Sequence, residues 1–308
     1  MTFSHNPVLL NEVLEFLTVE TPRFYLDLTA GGGGHASAII EKYPSVKAIL
    51  IDRDPDAVAY LSKKFKENRN VTVVKAGFAE LDKMLFLMQV QEVDLVFADL
   101  GVSSHQLDKA ERGFSMQKEG PFDMRMDYES GITAFEYIKN SDEEKIKSVL
   151  STFAQEREAG KVARVLKQCA EQGVDSTLQV ADAIRKVKKH KKKGIDPATQ
   201  VFMALRMAVN DELGQLESLL KKGFVKLAKN GVMGVITFHS TEDRVVKNFF
   251  RDRKNKVPYY IEHSDKVPYL FPEVSTYGPV SALKEETELN PRARSAKLRL
   301  ISKSLIYN

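Results

Sequence analysis

The chain has 308 residues, 46 Lys and Arg against 42 Asp and Glu for a net charge of +4, and 43% hydrophobic residues. That length can bury a large core and suits one main domain with an insertion or a second domain. No apolar run approaches the ~20 residues of a membrane span, and Met1-Thr2-Phe3-Ser4-His5-Asn6 lacks the basic region of a signal peptide, which argues against membrane or secreted classes. Cys169 is alone and can form no internal disulfide, so a cytoplasmic location is expected.

Residues 7–17 read as a short amphipathic helix with Val8, Leu9, Val13, Leu14 and Phe16 or Leu17 inward. A first strand, about 24–29, runs into Asp27-Leu28-Thr29-Ala30-Gly31-Gly32-Gly33-Gly34-His35 and a helix that ends before Pro44. Strand two, about 46–52, is followed by Asp54-Pro55, an N-cap with proline at the first helical position. Strand three is Val71 to Lys75, closed by Gly77-Phe78, and a short helix over about 79–88 precedes strand four, Val93 to Asp99. Strand four is almost continuously apolar, as a central parallel strand should be. Strand alternates with helix up to this point, which predicts a doubly wound sheet.

The alternation then breaks. From about 102 to 210 no convincing strand occurs, while helical segments do, at Ala134–Lys139, Asp142–Phe153, Glu156–Glu171 and Leu178–Lys189. Leu100 to Arg125 is rich in Gly, Ser and Asp and reads as irregular. A long helical stretch from Pro197 through Leu220 returns to the sheet, Asn230-Gly231 reads as a turn, and Val232 to Phe238 as strand five. A helix follows from Thr241 to about Arg253. The last 51 residues, from Pro258 on, hold five prolines and read as irregular until a closing strand at Lys297–Ser302. The expected domains are a core of 1–104 and 211–308 with an inserted helical domain of 105–210.

Four consecutive glycines let the backbone take positive φ and approach a ligand closely. Strand, glycine loop and helix open a nucleotide-binding α/β fold, and Gly31, Gly33 and Ala36 fit the relaxed dinucleotide pattern. Asp52, at the end of strand two, is placed to accept hydrogen bonds from ribose hydroxyls. Asp27, at the tip of strand one, would repel a pyrophosphate and suits a cation instead. S-adenosylmethionine carries an ammonium and a sulfonium, which favours a methyl donor over NAD. Phe78 is a candidate cover for an adenine face, and Asp99 stands where a methyl acceptor would meet the sulfonium.

The residues resemble the RsmH (MraW) methyltransferases. The resemblance runs from His5-Asn6-Pro7-Val8-Leu9-Leu10 through Gly31–His35, Asp99-Leu100-Gly101-Val102-Ser103-Ser104-His105-Gln106-Leu107-Asp108, Arg112-Gly113-Phe114-Ser115 and Pro121–Asp127. It continues through Asp196-Pro197-Ala198-Thr199, Phe238–Arg244 and Asn290–Ser295, and so covers nearly the whole chain. It implies a class I S-adenosylmethionine-dependent methyltransferase, a Rossmann-like doubly wound α/β sheet with an inserted helical domain for RNA recognition. It also implies methylation of the N4 amine of a cytidine in the decoding (P-site) region of bacterial 16S ribosomal RNA, within the small ribosomal subunit. Gly33, Gly34, His35, Asp52, Phe78, Asp99 and Gln106 would hold the donor. His35 and Gln106 come from the resemblance alone, since composition reads His35 as an exposed helix-start residue. The chain departs from the family at Asp196, where histidine is usual, at Gln200 for arginine, at Thr241 for leucine, and at Ala154-Gln155-Glu156-Arg157 for Gly-Glu-Glu-Arg.

The cytosine amine is a poor nucleophile because its lone pair is delocalised into the ring. Asp99 is therefore the catalytic candidate, accepting a hydrogen bond from that amine and orienting it. His239 is either a base or phosphate contact or a structural histidine. Phe114, Phe122 and Tyr128 are either stacking partners for an extruded base or core. The run Arg185–Lys193 carries seven positive charges and no acid, and with Arg292, Arg294, Lys297 and Arg299 it is a candidate phosphate-facing set. No Cys/His cluster suggests a protein-bound metal, no membrane partner is expected, and a homodimer is left open. An NAD-dependent oxidoreductase and a non-enzymatic RNA-binding or assembly factor are the rival readings. Donor binding against NAD, and methyl incorporation into small subunits, separate the three.

Overall fold

The computed structural model describes residues 7–188, 194–255 and 273–303. The chain forms two compact units, residues 1–101 with 214–308, and residues 102–213.

The first unit is built on seven strands: β1 (Phe24–Asp27), β2 (Lys47–Asp52), β3 (Val71–Lys75), β4 (Val93–Asp99), β5 (Leu227–Thr237), β6 (Val274–Ser281) and β7 (Lys297–Lys303). Their order is β3-β2-β1-β4-β5-β7-β6. β1 to β5 are parallel, and β7 enters antiparallel between β5 and β6. β2 and β4 are runs of Val, Ile, Leu and Phe because both faces are covered, and Ile49–Ile51 and Leu95–Ala98 are all buried. Asp54 caps the helix Pro55–Lys64 as its sequence predicts, its side chain accepting from Asp56 N at 3.0 Å. Val8, Leu9, Val13 and Leu17, from the N-terminal helical segment, join Tyr25, Leu50, Leu95, Phe97 and Leu298 in one core. Successive strands lead away from β1 on one side and from β4 on the other. The order therefore reverses between β1 and β4, which opens a crevice at their carboxyl ends.

Two expectations about the sheet are corrected. Asn230-Gly231 is not a turn ahead of the strand but lies within β5. Asn230 takes φ +62°, and the pairing jumps from Val93↔Leu227 to Leu95↔Val232, so the left-handed residue is absorbed as a bulge. The proline-rich tail is not all irregular, since β6 and the helix Lys284–Leu289 lie in it. Pro279 is tolerated because β6 is the outermost strand, where a missing N–H breaks no central ladder. Pro258, Pro268 and Pro272 lie outside the described residues.

The second unit is helical: Ala134–Asn140, Glu143–Ala154, Ala159–Glu171, Thr177–Val187 and Thr199–Val209. Thr133, Asp142 and Ser176 cap the first, second and fourth of these. Ile146, Leu150, Val162, Leu166, Val180, Ile184, Val201 and Leu205 meet Phe122 and Phe202 in its core. The long helix expected from Pro197 through Leu220 is in fact two, Thr199–Val209 and Glu212–Lys226, broken at Asp211 with φ +46°. Asn210 at the break is buried. Its Nδ2 donates to Met124 O at 2.7 Å and its Oδ1 accepts from Met126 N at 2.7 Å. Arg112, also buried, donates to Arg125 O at 3.1 Å and Met126 O at 2.8 Å. The irregular segment therefore gets its backbone partners from side chains instead of a ladder.

Candidate active site

The loop after β1 is held from three sides. From below, Asp27 is fully buried, its Oδ2 accepting from the Tyr25 hydroxyl at 2.8 Å and its Oδ1 from Thr29 N at 3.1 Å. From β2, Asp52 accepts from Gly31 N at 2.8 Å and from Asp54 N at 2.9 Å. From the helix Pro55–Lys64, the Lys64 ammonium donates to Gly32 O and Gly33 O, both at 3.1 Å. Glycine is required where this helix closes on the loop. Gly33 has φ +67°, and a Cβ there would stand 2.8 Å from Leu61 Cδ2. Gly34 is needed because its Cβ would lie 2.5 Å from Pro7 Cγ.

The ends of β1 and β4 are tied together by Thr29, whose Oγ1 accepts from Asp99 N at 2.6 Å. The Asp99 Oδ1 atom is enclosed and meets no hydrogen-bond partner among the described residues. A buried acceptor left open in this way is costly unless something else supplies the donor. Burial, then the charges of Asp27 and Glu242, hold the Asp99 carboxyl well above the usual carboxylate range. Burial likewise pushes Asp27 up to about 7 and Asp52 up to about 6, in both cases against the hydrogen bonds that lower them.

His35 is not the exposed helix-start residue that composition suggests, being 7% exposed in the first turn of the helix Gly34–Lys42. Its Nε2 is 2.9 Å from Val8 O, its ring centroid is 4.7 Å from that of Phe97, and its Nδ1 is 3.9 Å from Asp99 Oδ2. Burial lowers its pKa to about 4, so the imidazole is neutral.

Of the residues singled out in the sequence, Gly33, Gly34, His35, Asp52 and Asp99 thus gather at the carboxyl edge of β1, β2 and β4. Phe78 follows the carboxyl end of β3, half-buried at the start of a short turn, with its N–H donating to Gln215 Oε1 at 3.1 Å. Gln106 lies in the second unit, on the short helix Ser104–Asp108, where its Oε1 accepts from Ser103 N at 3.0 Å in a capping box. Asp27 is corrected from a ligand-facing acid to a buried one whose two oxygens are taken, so it acts through its charge. Thr29 and Lys64 are given no role in the sequence reading. Their partners lie 70 and 31–32 residues away, and no local pattern announces them.

Other candidates are reassigned. Phe114 and Phe122 are core residues of the second unit, while Tyr128 is 39% exposed with the Arg112 guanidinium 4.9 Å from its ring. His239 caps the helix Ser240–Lys254 and lies 2.9 Å from the Glu242 carboxylate, an arrangement that favours the structural reading. Part of the basic set is internal. Arg185 pairs with Asp182 and Asp196, both at 2.7 Å, and buried Lys188 pairs with Glu156. Arg299 and Lys297 share Asp243 at 2.7 and 3.4 Å. Asp196, which departs from the resemblance, therefore has a partner in this chain. Lys186 is exposed, and residues 189–193 and His5-Asn6 lie outside the described residues.

Three carboxyls surround a glycine loop that offers close backbone approach, a cation would stabilise their ionised forms, and one buried oxygen is left open among the described residues. Among the described residues no helix is long and apolar enough to cross a membrane. A family model described as the MraW methylase family matches residues 2–304. A Trichlorobacter lovleyi protein named ribosomal RNA small subunit methyltransferase H is 40% identical, covering 98% of each chain. One of the same name from Sorangium cellulosum is 42% identical over 96% of this chain and 89% of its own. Among solved structures, a Streptococcus mutans protein assigned as a methyltransferase and bound to SAH is similar at TM-score 0.45 and 10% identity, covering 97% and 99% of the two chains. A match over essentially the full length, at identities of this size, places the chain in the MraW methylase family, S-adenosylmethionine-dependent enzymes of the class I Rossmann-like fold.

Proposed function

We propose that this protein methylates the N4 amine of a cytidine in the decoding (P-site) region of 16S ribosomal RNA, within the small ribosomal subunit. The names of its relatives supply the class of substrate, and the observation that carries the chemistry is the Asp99 Oδ1 at the end of β4, without a hydrogen-bond partner among the described residues. S-adenosylmethionine, when bound, supplies an already activated methyl group. Gly33, Gly34, His35, Asp52 and Phe78 would hold it, and the buried carboxyl of Asp27, when ionised, would favour its sulfonium. Asp99 is drawn toward its ionised form beside that cation and accepts a hydrogen bond from the amine, aiming its lone pair at the methyl carbon. Positioning supplies most of the rate, and the proton leaves through Asp99. The helical unit serves RNA recognition, aided by the exposed members of the basic set, and the protein works in the cytoplasm. A dehydrogenase reading has no comparable support, since Asp27 lies beneath the loop where a pyrophosphate would sit.

Incubation with S-adenosylmethionine labelled in its methyl group and small subunits lacking the modification tests the proposal. Label in 16S RNA at a cytidine N4 is the expected result. Binding without incorporation would leave an assembly role instead, and tighter binding of NAD than of the methyl donor would restore the oxidoreductase.

A further inference from the structure

We infer that His35 is a positioning residue for proton removal, its bare Nδ1 taking the hydrogen bond of the Asp99 carboxyl once Asp99 has received the amine proton. This rests on the role proposed above for Asp99. The tautomer follows from the partners. Val8 O can only accept, so the Nε2 that lies 2.9 Å from it carries the hydrogen. The ring is neutral, so Nδ1 bears a lone pair, and that lone pair lies 3.9 Å from Asp99 Oδ2. The Val8 bond and the Phe97 ring, with its centroid 4.7 Å away, fix the imidazole in this pose.

A lone pair offers nothing to a carboxylate, which is itself only an acceptor, but it offers a carboxylic acid a hydrogen-bond partner. His35 thus favours the protonated form of Asp99 over the ionised one. The other titratable groups facing Asp99, Asp27 and Glu242, act in the same direction through charge. Asp99 is left with two distinct oxygens. Oδ1, without a partner among the described residues, is open to the amine, and Oδ2 faces His35. As the amine nitrogen bonds to the methyl carbon, the carbon–sulfur bond breaks with its electron pair on sulfur, and the nitrogen sheds one proton to Asp99. The proton arrives on Oδ1, and a half-turn of the carboxyl about its Cβ–Cγ bond brings the new O–H to face Nδ1, to which it donates once the 3.9 Å gap closes to hydrogen-bond distance. A neutral ring also spares the site a second positive charge beside the sulfonium.

Two amide substitutions divide the two ring nitrogens. His35→Gln keeps a donor near the Nε2 position for Val8 O and removes the acceptor, whereas His35→Asn places an oxygen near Nδ1 and loses the Val8 bond. The expected result is that H35Q, which keeps the Val8 bond, melts at the same temperature as wild type and loses clearly less S-adenosylmethionine affinity, by calorimetry, than it loses rate. Its single-turnover methyl transfer to small subunits should nevertheless fall at least ~10-fold, with an altered pH profile. H35N should be the faster of the two. In the donor-free wild type, the nitrogen-15 shifts of His35 should report the neutral Nε2–H tautomer at pH 7. Wild-type transfer by H35Q, a slower H35N, or an Nδ1–H or charged ring at pH 7 would each overturn the inference. So would a loss of donor affinity in H35Q as large as its loss of rate. Failure of the proposed Asp99 role is visible separately, as near-normal transfer by Asp99→Ala.

Discussion

The carboxyls around the glycine loop make donor binding a protonation equilibrium. Asp27 and Asp52 are pushed up to about 7 and about 6, chiefly by burial, so in the donor-free protein both are partly protonated near neutrality. A sulfonium favours their ionised forms, so binding must release protons and affinity must rise with pH. At pH 5.5 a group with pKa 7 is ionised in about 3% of molecules, so a requirement for ionised Asp27 weakens binding ~30-fold relative to pH 8.5. Asp52 adds a further factor of about 4 by the same arithmetic. Calorimetric titration of S-adenosylmethionine between pH 5.5 and 8.5, in two buffers of different ionisation enthalpy, reads both the affinity and the protons released. Asp27→Asn should remove most of the slope, and S-adenosylhomocysteine, without the sulfonium charge, should show a flatter profile. In the donor-free protein the sign reverses. The folded chain holds protons that the unfolded chain has already released, so these two groups make stability fall as pH rises from about 4 to about 7. A pH-independent affinity with no proton release, or an Asp27→Asn variant as pH-dependent as wild type, would refute the reasoning.

Gly33→Ala forces a Cβ into a left-handed position 2.8 Å from Leu61 Cδ2, so it should cost at least about 1–2 kcal/mol of stability and weaken donor binding. Undiminished donor affinity in that variant would show that the clamped shape of the loop is not what the donor reads. Lys188→Met leaves Glu156 buried and unpaired and should cost about 3–5 kcal/mol in denaturant unfolding, while Lys188→Met with Glu156→Gln should recover much of the loss. Replacing Lys186 and Lys191–Lys193 with glutamine should weaken RNA binding evenly across sequences and reduce the slope of log affinity against log salt by about 0.7 for each phosphate no longer neutralised. An unchanged slope would remove this run from the RNA interface.

Much of the parallel core could be read from the sequence, because β2, β3 and β4 are local signals: apolar runs bounded by Asp52-Arg53-Asp54, Gly77 and Asp99-Leu100-Gly101. The helix caps Asp54, Thr133, Asp142 and Ser176 are similarly legible, since each acts within three residues. The failures have a common physical cause. β6 is an edge strand whose Pro279 and alternating exposure resemble a loop, and it is defined by pairing with β7, more than fifteen residues on. The break at Asn210-Asp211 carries no proline or glycine, and what stabilises it is the distant pairing of Asn210 with Met124 and Met126. His35 and Asp27 show the same limit at the site. Their chemistry depends on burial beneath Val8, Phe97 and the loop, which composition does not reveal. The basic run misleads in the opposite way, since Arg185 and Lys188 find acids at Asp182, Asp196 and Glu156 that their own segment lacks or places apart.

The most direct test of the central claim is methyl transfer by Asp99→Ala. The fold should survive, because Thr29 ties to the backbone N–H of residue 99 and not to its side chain. With small subunits lacking the modification and labelled S-adenosylmethionine, wild type should place label on a cytidine N4 of 16S RNA. Asp99→Ala, folded and supplied with saturating donor, should place none. Near-normal labelling by the variant, or label at a different atom in the wild type, would contradict the role assigned to Asp99 and the reaction built on it.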